Sequence, residues 1–137
     1  MRRLFLLFLL LLAPLMADGI KWYTDVQKAQ AAAQESKKII FVYVEAAHCP
    51  YCEEMLNDTL SDKDVVRNIN SDYIALKVDL DTKEGQKYFG ATTVTPTSYF
   101  YTPNGKVLET LEGLQNVEFF FWGMSKAERL FKEMQGK

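Results

Sequence analysis

The sequence predicts an α/β fold with a mixed central sheet that helices cover on both faces. Segments with helical and strand character alternate along most of the chain, and a hairpin and a closing helix follow them. Alternating units place parallel strands side by side, whereas a hairpin adds an antiparallel strand, so we expect a mixed sheet. The length of 137 residues fits one domain.

The N-terminus has the pattern of a secretory signal peptide. Two arginines near the start precede an apolar run over residues 4–12, and a small residue, Ala17, stands five positions after that run. A charged region, an apolar region and a small-residue cleavage point are typical of exported proteins. We therefore expect cleavage after Ala17, with residues 1–17 as signal peptide and 18–137 as the mature domain. The alternative is an uncut membrane anchor, for which the run is short, since a span needs about 20 apolar residues.

The charge of the mature domain argues against a nucleic-acid partner. Removing residues 1–17 takes away two of the 16 basic residues and none of the 18 acidic residues, which leaves a net charge of −4. Binding to nucleic acid needs clusters of Lys and Arg that neutralise phosphates, and this domain has no such cluster. A domain of about 120 residues also buries a core without disulfides, so stability does not explain its two cysteines.

The mature domain begins with a predicted helix and a buried strand. Residues 24–35 are rich in Ala and Gln, with Thr24 or Asp25 as the cap, so a helix precedes the first long strand. That strand, at residues 39–44, is apolar on both faces, as in the centre of a sheet.

The later elements follow from apolar spacing and turn residues. Helical spacing continues over residues 52–60, and a capping box at residues 61–64 predicts a short helix through Ile69. The remaining elements are expected in the order strand, helix, strand, strand and helix, over residues 73–78, 82–89, 97–101, 107–110 and from Asn116 onward.

Two cysteines directly follow the first long strand, as Cys49-Pro50-Tyr51-Cys52. The two-residue spacer places both sulfurs in the first turn of a helix, close enough to bond. Unpaired N–H groups and the positive dipole end at a helix N-terminus favour the thiolate, which lowers the pKa of Cys49. Pro50 suits this position because its missing N–H has no helical partner there anyway. We expect Cys49 to attack a substrate disulfide and Cys52 to resolve the mixed disulfide.

Two other roles for the cysteine pair stay open. One is a structural disulfide, which the oxidising compartment favours, although a loop of so few residues adds little stability. The other is a zinc site, although the pair and His48 supply only three ligands where a closed site needs four.

The sequence resembles the thioredoxin superfamily over nearly all of the mature domain. The matching features are the strand before the cysteines, the Cys-Pro-Tyr-Cys helix, the Val-Thr-Pro-Thr segment at residues 94–97 and the Asn104-Gly105 hairpin. The helix before the first long strand is similar to that of exported thioredoxin-like proteins. The resemblance implies a thioredoxin fold and a cis Thr95–Pro96 bond beside the cysteines. It also implies that the backbone at Thr95 and Pro96 holds a substrate peptide as an added strand.

The sequence also departs from that family near the cysteines. Cytoplasmic thioredoxins have Trp before the first cysteine and Gly-Pro between the two, whereas this chain has His48 and Pro-Tyr. Their buried acid corresponds to Tyr43, which cannot transfer the proton in its place. His48 is either a cation that stabilises the Cys49 thiolate or an exposed loop residue. Glu45 is either a proton carrier for Cys52 or a solvated residue at the strand end.

Several aromatic residues have predicted roles outside the cysteine motif. We expect Trp22 to pack in the core, and Tyr88, Phe89 and the run 119–121 to be core residues as well. Trp122 falls on the polar face of the last helix, where it is either an unremarkable exposed residue or part of a partner surface.

Together these features predict a periplasmic thiol–disulfide oxidoreductase, and the resemblance favours reduction over oxidation. The expected substrates are misoxidised exported proteins or cytochrome c apoproteins. A membrane thiol donor is expected to restore the dithiol, because the periplasm is kept oxidising and has no glutathione buffer. We expect a monomer with no cofactor and no metal. The alternatives are a disulfide oxidase or isomerase, and a binding module whose disulfide only locks the fold.

Overall fold

A computed structural model describes residues 19–136, and the expected signal peptide lies outside them. The strands are β1 (Trp22–Tyr23), β2 (Ile39–Glu45), β3 (Tyr73–Asp79), β4 (Thr97–Tyr101) and β5 (Val107–Glu112). They form one sheet in the order β1-β3-β2-β4-β5. β2 is parallel to β3 and antiparallel to β4, so the predicted mixed sheet is confirmed.

Five α-helices cover the sheet within the described part of the chain. They are α1 (Val26–Ser36), α2 (Pro50–Glu54), α3 (Lys63–Asp72), α4 (Lys83–Phe89) and α5 (Val117–Gln135). A π-helical turn (Met55–Thr59) continues α2 without a break. Between residues 19 and 136, no helix is both long enough and apolar enough to cross a membrane.

The central strand β2 divides the core into two layers. Its successive side chains point to opposite faces of the sheet, and both faces are buried, as its apolar sequence predicts. On one face, Phe41 and Tyr43 join side chains of the π turn, α3 and α5. On the other face, Ile40, Val42 and Val44 pack with α1 and α4. The predicted helices on both faces are therefore confirmed.

The short strand β1 was not expected from the sequence. It pairs in parallel with β3 over two residues, too few for a periodic pattern to reveal it. Its Trp22 ring lies with its centroid 5.8 Å from that of Phe41 and 6.0 Å from that of Tyr43. The predicted packing role of Trp22 is thereby confirmed.

The helix α3 begins one residue later than the capping box predicts. Asp62, and not Ser61, accepts hydrogen bonds from the N–H groups of the first turn. The hydroxyl of Ser61 instead donates to the carbonyl of Asn57 in the preceding turn. Because the Ser61 hydroxyl is bonded to the preceding π turn, the carboxylate of Asp62 caps α3 instead.

Two aromatic residues predicted for the core are exposed. Phe119 is 60% exposed, whereas its neighbour Phe120 is 0% exposed, because adjacent residues on a helix point about 100° apart. Tyr88 is 40% exposed near the end of α4. The core prediction was wrong for these two side chains, and Trp122 is exposed as its place on the polar face predicts.

Candidate active site

The cysteine pair lies where the end of β2 leads into α2. Cys49 is the N-cap residue of α2, with an extended backbone, and Pro50 is the first helical residue. The two sulfurs form a disulfide, and the Cα atoms are 5.2 Å apart. The N–H of Cys52 points at Cys49 Sγ, 3.2 Å away. This N–H lies where it can stabilise a thiolate at Cys49 once the disulfide is reduced.

The two cysteines differ in exposure. Cys52 is 2% exposed, whereas Cys49 is only partly buried and its neighbours Pro50 and Tyr51 are exposed. An incoming disulfide therefore reaches Cys49 from solvent, and Cys52 is accessible mainly to Cys49.

The loop before the cysteines is held by a contact from the segment that follows β3. The backbone N–H of Ala47 donates to a carboxylate oxygen of Asp81 at 2.6 Å. His48 follows with a φ of 56°, in the left-handed region, which few residues other than glycine adopt. Its side chain is exposed, and in the described residues it makes no hydrogen bond or ion pair.

Tyr43, which the resemblance matches to the buried acid of thioredoxins, lies in β2 behind the cysteine pair. Its ring is fully buried and its hydroxyl donates to the backbone carbonyl of Cys52 at 2.8 Å. Burial, with a smaller contribution from the charge of Glu45, raises the pKa of Tyr43 far above its usual value. The hydroxyl therefore stays protonated at physiological pH and remains a hydrogen-bond donor. Sequence analysis missed this bond, although a tyrosine in a fully apolar strand signals that its hydroxyl needs a partner.

A small cleft beside the disulfide contains acidic groups. Its walls include Glu45, His48, Asp79 and both cysteines. Burial raises the pKa of Glu45, the charge of Lys77 lowers it, and the charge of Asp79 raises it further. Glu45 is thus partly desolvated and shares a cleft with the cysteines.

The Thr95–Pro96 segment lies at the same end of the sheet. The peptide bond between the two residues is cis, the isomer that the resemblance implies. Because β4 is antiparallel to β2 and Thr97 pairs with Val44, Pro96 lies at the carboxyl end of β2, where the cysteine loop begins. Pro96 is buried, and its carbonyl accepts a hydrogen bond from the N–H of Gly113 at 2.7 Å.

The structure therefore gathers the predicted site residues at one edge of the sheet. Five of these residues lie in the loop after β2 and the start of α2: His48, Cys49, Pro50, Tyr51 and Cys52. The other two, Thr95 and Pro96, come from the segment before β4. Within residues 19–136, no group of three or more His, Cys, Asp or Glu side chains is arranged to hold a metal ion.

A family model described as a thioredoxin-like domain matches residues 26–127. The chain belongs to the thioredoxin-like family. The match begins with α1 and ends inside α5, so it includes the cysteine pair and the cis proline.

Solved structures and one sequence relative show the same similarity. A thioredoxin from Thermus thermophilus is 28% identical with a TM-score of 0.69, and the match covers 82% of this chain and 87% of that one. DsbH oxidoreductase is 17% identical with a TM-score of 0.68, over 84% and 89% of the two chains. The C-terminal domain of DsbD from Neisseria meningitidis is 19% identical with a TM-score of 0.59, over 75% and 99%. An uncharacterised protein of Caenorhabditis elegans is 28% identical over 95 residues, which are 64% of this chain but 13% of that protein.

These findings confirm the predicted thioredoxin fold. With the bonded Cys-X-X-Cys pair, they also confirm the predicted enzyme class, a thiol–disulfide oxidoreductase of the thioredoxin-like kind. The similarity to DsbH and to the DsbD domain is one of fold alone, since both are less than 20% identical to this chain.

Proposed function

We propose that this protein is a periplasmic reductase that transfers electrons from the Cys49–Cys52 dithiol to disulfides of exported proteins or apocytochromes. The preference for reduction comes from the resemblance, and the observation that carries the roles of the two cysteines is their unequal placement. Cys49 caps α2 within reach of solvent, whereas Cys52 is buried directly behind it.

The proposed cycle has two steps. The Cys49 thiolate attacks a substrate disulfide, so that a bond forms to one substrate sulfur and the other leaves as a thiolate that takes up a proton. Cys52 then loses its proton and attacks Cys49 Sγ, which forms the intramolecular disulfide and releases the second substrate thiol. Two electrons pass from protein to substrate, and a membrane dithiol donor returns the Cys49–Cys52 pair to its reduced form.

The remaining residues have supporting roles in this proposal. Pro50 starts the helix, and the exposed Tyr51 lies beside Cys49 on the surface that a substrate meets. The backbone of Thr95, which the buried Pro96 positions, holds the substrate as an added strand, and this is supported by its place at the same end of the sheet as the cysteines. Glu45 accepts the proton that Cys52 loses, which is supported by its place in the same cleft.

Two cysteine variants test the mechanism. Cys49→Ser should abolish both insulin reduction and mixed disulfides with substrate, because the attacking sulfur is gone. Cys52→Ser should abolish turnover but accumulate the mixed disulfide, because only the resolving sulfur is gone. Insulin reduction that survives in Cys49→Ser would rule out this mechanism and favour a binding module.

The reduction potential of the cysteine pair tests the direction. Thioredoxin-like pairs range from about −270 mV for reductants to about −120 mV for strong oxidants. We expect a value near the low end, measured by equilibration in graded thiol buffers. A value near the high end would reassign the protein as a disulfide oxidase or isomerase.

Export is tested separately by expression of the full chain in a Gram-negative host. The proposal expects the protein in the periplasmic fraction, with a mature N-terminus at Asp18, because the first 17 residues have the pattern of a signal peptide. Recovery of the uncut chain from the membrane fraction would support the anchor instead.

A further inference from the structure

Tyr43 links the centre of the sheet to the second cysteine. Its ring is fully buried in β2, and its hydroxyl donates to the carbonyl of Cys52, a residue nine positions later. A buried phenol without a partner is costly, so both the tyrosine and the carbonyl gain from this bond. Phe would fill the same apolar site without the hydroxyl, so a comparison with Phe isolates what this bond contributes.

The carbonyl of Cys52 lies close to a change in helical register. The α-helical turn that contains Cys52 ends at Glu54, and the π-helical turn begins at Met55. A π turn pairs each N–H with the carbonyl five residues earlier instead of four, so the internal hydrogen bonds are rearranged at such a junction. The Cys52 carbonyl accepts from the N–H of Met55 within the helix, and the Tyr43 hydroxyl supplies a second donor from outside it.

The tyrosine side chain is itself fixed by its surroundings. The Trp22 ring lies against it with centroids 6.0 Å apart, and Trp22 also contacts Phe41. These contacts join β1, β2 and the start of α2 in one packed unit. The donor therefore keeps its place when the disulfide opens, because the sheet and not the helix holds it.

The two cysteines depend on this support to different degrees. Cys49 meets its substrate at the surface, and the substrate helps to orient that attack. Cys52 is 2% exposed and has to reach Cys49 Sγ from inside the protein, so only the main chain of α2 orients it. Within a helix the N–H and the carbonyl of one residue point in opposite directions, so a donor to the Cys52 carbonyl bears on the second step more than on the N–H that faces Cys49 Sγ.

We propose that Tyr43 is a positioning residue for the second step, in which its hydroxyl holds Cys52 in line for attack on Cys49. This inference rests on the proposed function, because it takes Cys49 as the attacking and Cys52 as the resolving sulfur. In this proposal Tyr43 orients the buried Cys52 and moves no proton. Its role therefore differs from the proton transfer performed by the buried acid of thioredoxins.

The test uses reduced protein without residues 1–17 and the disulfide reagent 5,5′-dithiobis(2-nitrobenzoate), which reports the two steps separately. Attack by Cys49 breaks the reagent's disulfide and releases one coloured thiolate. Attack by Cys52 on the mixed disulfide then forms the Cys49–Cys52 bond and releases a second one. Stopped-flow absorbance gives both rates, and the Cys52→Ser background gives the first rate alone.

Tyr43→Phe should slow the second rate by roughly five-fold to thirty-fold, as expected for loss of one positioning hydrogen bond, and should change the first rate much less. Tyr43→4-aminophenylalanine retains a donor at the same place and should restore most of the second rate. Tyr73→Phe is the matched control, because it removes another buried tyrosine hydroxyl, whose partner is Glu128 on α5. It should leave both rates as they are.

The outcomes distinguish this inference from the proposed function. If wild-type Cys49 releases no thiolate, the proposed function fails. If both releases occur in the wild type and Tyr43→Phe leaves the second unchanged, only the role of Tyr43 fails. Equal slowing by Tyr43→Phe and Tyr73→Phe would show a general loss of packing and would also overturn it. Thermal unfolding of each variant confirms that folded protein is compared, and the 4-aminophenylalanine variant decides the question if Tyr43→Phe does not fold.

Discussion

Asp81 accepts a hydrogen bond of 2.6 Å from the backbone N–H of Ala47, two residues before Cys49. The contact joins the segment after β3 to the loop after β2, and the two strands are parallel neighbours that end together at Glu45 and Asp79. It restrains the loop directly before His48, whose backbone is left-handed. The carboxylate of Asp81 therefore supports the conformation that presents Cys49.

Replacing this carboxylate should destabilise the protein modestly. Asp81→Ala leaves the N–H of Ala47 to water and should lower the free energy of unfolding by about 1 kcal/mol, the usual net value of one hydrogen bond. Asp81→Asn retains an oxygen acceptor and is the matched control. Urea denaturation measures both, and equal loss in the two variants would show that the charge, and not the hydrogen bond, matters.

Glu45 should oppose formation of the thiolate in the shared cleft. Glu45→Gln removes a negative charge from the cleft that the cysteines share, so the pKa of the Cys49 thiol should fall. The rate of alkylation of Cys49 against pH measures this shift. Glu54→Gln is the control, since Glu54 is exposed and does not line the cleft. An equal shift in both variants would contradict a specific effect of the cleft.

The same carboxyl predicts a pH dependence of stability. Burial raises the pKa of Glu45 in the folded protein, so folding favours its protonated form. Its contribution to stability is therefore complete below the pKa of the unfolded chain and is lost as pH rises through the folded pKa. The free energy of unfolding of Glu45→Gln relative to wild type should increase over that range. A difference that stays constant with pH would show that the charge of Glu45 is fully solvated.

Gly85 permits the close approach of α4 to the end of β3. A Cβ at this position would overlap the backbone carbonyl oxygen of Asp79, which cannot move as a side-chain end can. Gly85→Ala should therefore lower the free energy of unfolding by about 1–3 kcal/mol despite the better helix propensity of alanine. Gly136→Ala is the control, because its Cβ would meet only the Lys132 carbonyl, at an ordinary 3.5 Å. A neutral or stabilising effect of Gly85→Ala would contradict this packing.

The neighbours Phe119 and Phe120 provide a matched test of the inner and outer faces of α5. Phe120→Ala should lower the free energy of unfolding by about 3–5 kcal/mol, because its ring is fully buried against Phe41 and Phe100. Phe119→Ala should change it by less than about 0.5 kcal/mol, because that ring is largely exposed. Similar losses in chemical denaturation would show that the outer face is also packed.

The cysteine pair could be predicted because its signal is local. Cys49 and Cys52 are three positions apart after an apolar strand, and the strand-to-helix junction follows from the residues on either side. The contact from Asp81 could not be predicted in the same way, because 34 positions separate it from Ala47. The bond from Tyr43 ends on a backbone carbonyl, which every residue possesses, so no partner residue marks it in the sequence.

The sequence by itself determined the order of the major elements and the identity of the redox pair. Periodicity, caps and turns act over a few residues, so the pattern of α1, β2 and the hairpin between β4 and β5 is visible without a structure. Only the tertiary structure decided that β1 extends the sheet and that Phe119 faces outward. It also decided that Glu45 and Asp79 line a cleft with the cysteines and that Asp81 binds the loop before them. Parallel strands bring their ends together whatever the length of chain between them, and the groups that surround the disulfide become neighbours for that reason.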